Sequence, residues 1–287
     1  MSSEQEESLD DMDPAEILEG AAKALKEGDK EMAAKLFNAA GNIYMSVAEY
    51  EEAHECFEKA LNVYKGLDDP SGTTVALYNL GVSQINLERW PEAMQTLSSA
   101  MKLFEKASND SGVADAIYGL ALATLGSGDF EGAITHFKKA QRIYRKLGNR
   151  QGEAIVLMDM GQAYLDKEDS AAAETTIKKA LKIFREIEDK AGIADALSVI
   201  GDIAENNGND KKSAEMFVEA AQNYYEAEIF DIAKEVVERA EQKMWDVPKT
   251  TRRRLRKLID ALIDALPDDI GTPSDDEFDD DELLNIE

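Results

Sequence analysis

Few residues of this chain are equipped for covalent or metal chemistry. His54 and His136 are the two histidines, and Cys56 is the one cysteine. A zinc site or a histidine-activated nucleophile needs several such groups at fixed spacing. Neither histidine has a second His or a Cys at ligand spacing. Cys56 adjoins Phe57 and reads as a packing residue. His136 precedes Phe137 and reads as a solvent-side or interhelix residue rather than a base. Gly126-Ser127-Gly128 has the outline of a phosphate loop, yet it falls in a turn of the pattern below. No nucleophile elbow or zinc-helix motif occurs. The reading is a chain with no catalysis, cofactor or metal, whose chemistry is recognition.

Charge narrows what is recognised. Asp and Glu number 59 against 32 Lys and Arg, a net charge of −27. A duplex-binding protein must bring cations to phosphates, so nucleic acid is excluded as a partner. Residues 1–13 hold six acids and no base, and 267–287 hold ten acids and no base. Like-charge blocks with little apolar content do not bury enough surface to order themselves, so both ends read as disordered acidic tails. The start has neither the basic residues nor the apolar run of a secretory signal. No stretch approaches the ~18–20 apolar residues of a membrane helix. The expectation is a cytoplasmic protein without membrane insertion.

The elements that must present any surface repeat. Gly41, Gly81, Ala121, Gly161 and Gly201 are each 40 residues apart. Twelve residues after each come Ala53, Ala93, Ala133, Ala173 and Ser213. Then follow Phe57, Leu97, Phe137, Ile177 and Phe217, and next Ala60, Ala100, Ala140, Ala180 and Ala220. Spacings of three and four put these on one helical face. A bulky residue between alanines on one helix fits over the small residue of an antiparallel partner. Ser127-Gly128-Asp129 and Asn207-Gly208-Asn209 supply turns between the halves.

The order of small residue, Tyr, Ala, Phe and Ala resembles the tetratricopeptide repeat. Leu77-Tyr78-Asn79-Leu80-Gly81 with Ala93 carries it, as do Ile117 to Ala121 with Ala133, Phe137 and Ala140. The 40-residue length is similar to the long-helix subclass of kinesin light chains and Pins-type adaptors. The resemblance implies an all-α, right-handed superhelical solenoid of stacked antiparallel hairpins with a C-terminal capping helix. The solenoid is expected over 14–266, with repeats at about 34–73, 74–113, 114–153, 154–193 and 194–227. A first helix is expected at 15–27, and end helices at 231–245 and 249–266. The last carries one apolar stripe, Leu255, Leu258, Ile259, Leu262, Ile263 and Leu266, and a polar outer face suited to a cap.

The resemblance also implies a concave groove lined by the first helices. Its positions fall on Val75, Tyr78, Asn79, Val82 and Ile85; then Asp115, Tyr118, Leu122 and Leu125; then Ile155, Met158, Asp159 and Gln162; then Asp195 and Asp202. Asn79 matches the asparagine with which long-repeat adaptors hold peptide backbone. The middle is apolar and the far end acidic. A peptide or helix with apolar anchors and a basic flank suits it. The function read is a non-enzymatic interaction scaffold. Two alternatives stand beside it. One is an adaptor to an AAA-type ATPase, since the acidic, leucine-bearing tail resembles that of soluble NSF attachment proteins; Phe278, Leu283, Leu284 and Ile286 are then the docking residues. The other is an acidic chaperone for basic proteins. The basic run Arg252 to Lys257 opens the last helix, where cations oppose the helix dipole, and the tail acids are its nearest counter-charge.

Overall fold

The computed structural model describes residues 13–245 and 247–267. Among them are thirteen helices and no strand: α1 (Pro14–Glu27), α2 (Lys30–Ser46), α3 (Tyr50–Gly66), α4 (Pro70–Asn86), α5 (Trp90–Lys106), α6 (Asp110–Gly126), α7 (Phe130–Leu147), α8 (Arg150–Asp166), α9 (Ser170–Glu186), α10 (Lys190–Asn206), α11 (Asp210–Glu226), α12 (Phe230–Met244) and α13 (Lys249–Ala265). From α2 to α12 every helix begins 20 residues after the one before. A frame opening at 30 rather than 34 therefore keeps each hairpin whole.

The turns explain this rhythm. One residue in each takes the left-handed conformation, among them Ala48, Asp68, Glu88 and Ser108, with Gly28, Gly128, Gly148 and Gly208 in the same role. The next N–H reaches back to a carbonyl of the last helical turn, as from Asp69 to Tyr64 at 3.1 Å and from Asn149 to Tyr144 at 2.9 Å. That residue is also the N-cap of the following helix: Asp29, Asp69, Asn109, Asp129, Asn149, Asp189 and Asn209 accept from its first turn. One short turn thus closes one helix and opens the next.

The chain divides into two compact units, Met1–Asp169 and Ser170–Glu287. In the first, consecutive helices from α1 to α8 pack side by side; in the second, α9 to α13 do so. The repeated columns are the core. Phe57, Leu97, Phe137, Ile177 and Phe217 are buried, as are the alanines around them. Gly41 is small because a Cβ there would lie 2.5 Å from the Phe57 ring; at Gly81 it would meet Leu97 at 2.6 Å. A second set of glycines lies in the first turns of helices. Gly72 and Gly112 lie under the rings of Tyr64 and Phe104, with a Cβ at 2.2 and 2.3 Å.

The cap departs from expectation. Of the α13 stripe only Leu255 and Ile259 are buried; Leu258 is 44% and Ile263 48% exposed. Packing from α11 and α12 covers one side of the helix, so an apolar stripe this wide is not hidden. Among the described residues no helix is long and apolar enough to cross a membrane.

Candidate protein-binding face

In the first unit α2, α4, α6 and α8 are the first helices of successive hairpins. Side-chain hydrogen bonds lace them together. Asn79 Nδ2 on α4 donates to Asn38 Oδ1 on α2 at 3.0 Å, and to Asn42 Oδ1 at 3.4 Å. Tyr118 on α6 donates its hydroxyl to Asp159 on α8 at 2.7 Å. α4 and α6 also pack directly. The backbone-holding role implied for Asn79 therefore competes with a lateral tie to α2.

This row places Val75, Tyr78, Asn79, Val82 and Ile85 on α4. It places Asp115, Tyr118, Leu122 and Leu125 on α6, and Ile155, Met158, Asp159 and Gln162 on α8. Val75 is 43% and Ile155 39% exposed. Tyr78, Val82, Ile85, Tyr118, Leu122, Leu125 and Met158 are half-buried, while Gln162 is exposed and donates to Asp166 at 2.8 Å. Both tyrosine rings lean on the core: Tyr78 meets Phe104 edge-on at 6.2 Å, and Tyr118 lies 6.2 Å from Phe137.

Asp115 and Asp159 are the charged residues among these positions. Tyr144, from the second helix of the same hairpin, donates to Asp115 at 2.6 Å. Neither carboxylate has a Lys or Arg partner among the described residues. Burial raises the Asp159 carboxyl above its ordinary range, and the Tyr118 hydrogen bond opposes that only in part. Burial, with the Asp115 charge beside it, pushes the Tyr78 hydroxyl up to about 12. Burial and the neighbouring Asp159 hold Tyr118 far above the usual phenol range. All three shifts have one origin, negative charge kept in a low-dielectric place without a counter-ion.

Two hairpins share one pairing. Tyr144 bonds Asp115 and Tyr224 bonds Asp195, each across 29 residues and at 2.6 Å. Where Phe104 replaces the tyrosine, the residue 29 earlier is Val75. Those two line a cleft of about 490 Å³ together with Thr74 and Leu103.

In the second unit Asp195 and Asp202 lie on α10, and each acid has a partner. Asp195 accepts from Tyr224, and Asp202 pairs with Arg239 of α12. Arg239 also reaches Glu205, which Lys243 meets at 2.8 Å. Those two cations hold Glu205 below the usual carboxylate range, Lys243 first. Phe278, Leu283, Leu284 and Ile286 lie outside the described residues.

The reactive residues resolve as packing. His54 is buried, its Nδ1 3.3 Å from Ser83 Oγ. Burial pushes the Cys56 thiol up to about 11, away from a reactive thiolate. Burial, helped by Lys139, lowers His136. Among the described residues no group of three or more His, Cys, Asp or Glu is placed to hold a metal.

Sequence reasoning passed over Glu153. It is buried on α8 and accepts from Arg150 at 2.6 Å, Arg145 at 2.7 Å and Gln141 at 3.2 Å. Its aligned neighbours, Thr73, Val113 and Ile193, carry no charge, and that contrast was the available signal.

Repeated antiparallel helix hairpins, tied through their first helices, define an α-helical repeat protein of the interaction-scaffold class. The tetratricopeptide repeat profile matches at residues 31–106, 72–146 and 112–186, more than half of the chain. The chain belongs to the tetratricopeptide repeat family. No curated protein sequence matches it. Among solved structures it is similar to a Rap protein complexed with Competence and Sporulation Factor: TM-score 0.55, 12% identity, covering 84% of this chain and 75% of that one. It is similar to BtubC (BKLC) from P. vanneervenii: TM-score 0.54, 17% identity, covering 92% and 98%. It is also similar to the C-terminal part of a repeat protein from Cytophaga hutchinsonii: TM-score 0.56, 16% identity, covering 87% and 90%. At these identities the likeness is one of fold.

Proposed function

We propose that the chain is a non-catalytic adaptor whose first unit binds a partner protein along the α4–α6–α8 row, taking apolar anchors at Val75 and Ile155 and a Lys or Arg beside Asp159. The observation that carries this reading is Asp159: a carboxylate raised by burial, one helical turn from the exposed Ile155, with no cation of its own among the described residues. An incoming ammonium or guanidinium supplies the missing charge, and the half-buried rings of Tyr78 and Tyr118 favour a cation on their faces. The Rap protein of similar fold, solved complexed with Competence and Sporulation Factor, lends support to the reading.

An array of short peptides tests the reading, each with two apolar anchors and a third site varied between Lys, Arg, Gln and Glu. Fluorescence polarisation should rank Lys and Arg above Gln by about tenfold, a step of roughly 1.4 kcal/mol, and Glu lowest. Val75→Asp with Ile155→Asp should abolish binding while circular dichroism stays unchanged. Equal binding of all four peptides, or full binding by the double variant, overturns it. Salt separates this from the acidic-chaperone reading: binding through apolar anchors survives ~0.3 M salt, whereas binding through diffuse tail charge is screened there.

A further inference from the structure

The second unit carries another open surface, on its second helices. Between α9 and α11 lies a cleft of about 610 Å³ with Leu181, Ile200 and Met216 on its floor. Lys178, Lys182 and Arg185 of α9 and Lys212 of α11 stand on its rim. These four cations share three carboxylates. Glu174 takes Lys178 and Lys212, both at 2.6 Å; Glu219 takes Arg185 at 2.5 Å; Glu186 lies 3.9 Å from Lys182. The side chains of Lys178, Lys182 and Arg185 are 56%, 79% and 52% exposed, so swinging toward another anion costs little. A smaller cleft of about 360 Å³ runs on from Met216 and Glu219 to Arg254 and the exposed Leu258 of α13.

We propose that this basic-rimmed apolar cleft is the docking site of the chain's own C-terminal segment, residues 275–287. The chemistry of the two is complementary. Residues 275–287 hold eight acids and no base, and Phe278, Leu283, Leu284 and Ile286 interrupt the acids. Carboxylates meet the rim and apolar side chains meet the floor. Reach suffices as well. Asp275 lies eight positions beyond Pro267, and extended chain spans ~26 Å over that interval. Rows of packed helices lie ~10 Å apart, so the two rows from α13 to α9 are within that span. The basic run of α13 is a weaker seat, because much of it is engaged. Arg252 donates to the carbonyls of Trp245 and Val247, Arg254 pairs with Glu215, and Arg256 with Asp260.

The test is zero-length carbodiimide cross-linking of the full chain, which joins Lys to Asp or Glu, read by peptide mass spectrometry. A mixture of normal and ¹⁵N-labelled chain separates links within one molecule from links between two. The expected result is intramolecular links from Lys178, Lys182 or Lys212 to acids within 275–287. Phe278→Asp, outside the described helices, should cut their yield at least fivefold with unchanged circular dichroism. Lys178→Glu with Lys182→Glu should cut the Lys212 link by a similar factor. Links only to Lys249 or Lys257, links only between molecules, no links, or an undiminished yield from Phe278→Asp each overturns the proposal.

Discussion

The hydroxyl of Tyr118 donates to the Asp159 carboxylate at 2.7 Å, joining two first helices across 41 positions of the chain. The bond fixes a half-buried negative charge on α8, the last helix of the candidate face, without neutralising it. A group needed only for packing would be cheaper as an amide. The arrangement therefore predicts a stability cost that binding recovers.

Asp159→Asn keeps an acceptor for Tyr118 and removes the charge. The folded state raises this carboxyl, so it holds the proton more tightly than the unfolded chain. Stability is then greatest below the unfolded value and falls as pH rises through the raised folded one. The variant should melt roughly 2–4 °C higher at pH 7, about 1 kcal/mol, and the gap should close as the pH drops. Melting curves across pH check this. A variant that melts lower at pH 7 refutes the charge argument. The same variant should lose affinity for basic peptides.

The left-handed turn residues predict gains. Asp68, Glu88 and Glu168 hold φ of 52°, 56° and 63°, where a Cβ is strained. Replacing each by Gly should stabilise by about 0.5–1 kcal/mol, less than the strain because glycine loosens the unfolded chain. Gly128→Ala, at φ 86°, should cost about 1 kcal/mol. Denaturant midpoints measure both signs.

Gly112 predicts a steric penalty. An added methyl would stand 2.3 Å from the Phe104 ring, so Gly112→Ala should destabilise by about 1–3 kcal/mol. Phe104→Leu in the same chain should recover part of the loss. Gly66 is the contrast: it ends α3, and a methyl added there would have no atom within 4 Å. Gly66→Ala should therefore be neutral or stabilising by about 0.5 kcal/mol. Thermal melting of the two alanine variants side by side checks the difference.

Glu153 predicts a network loss. Glu153→Ala removes a buried acceptor of three hydrogen bonds, two of them from arginines that are partly exposed. The expected cost is about 2–3 kcal/mol by thermal melting. Glu153→Gln should recover less than half of it, because the bonds from both arginines depend on charge.

The spacing of Gly41, Gly81 and Gly201 and of Phe57, Leu97 and Phe217 could be read in advance because a helix converts a local interval into a face. Which face is apolar, and which small residue a ring must cover, are properties of neighbouring residues in one chain. The positions of Val75, Tyr78 and Ile155 on first helices followed by counting. Half of the turn rhythm was visible too, at Gly28, Gly128, Gly148 and Gly208; Ala48 and Glu88 adopt the same φ with side chains that do not advertise it. What counting does not reach is whether a charge is spent. Asp159 and Asp202 both stand on first helices, yet one is desolvated without a cation and the other meets Arg239 from a helix 37 residues on. That difference depends on distance and burial between rows of helices. Both arise when the hairpins stack, because the Coulomb and desolvation energies act through space, whereas periodicity acts along the chain.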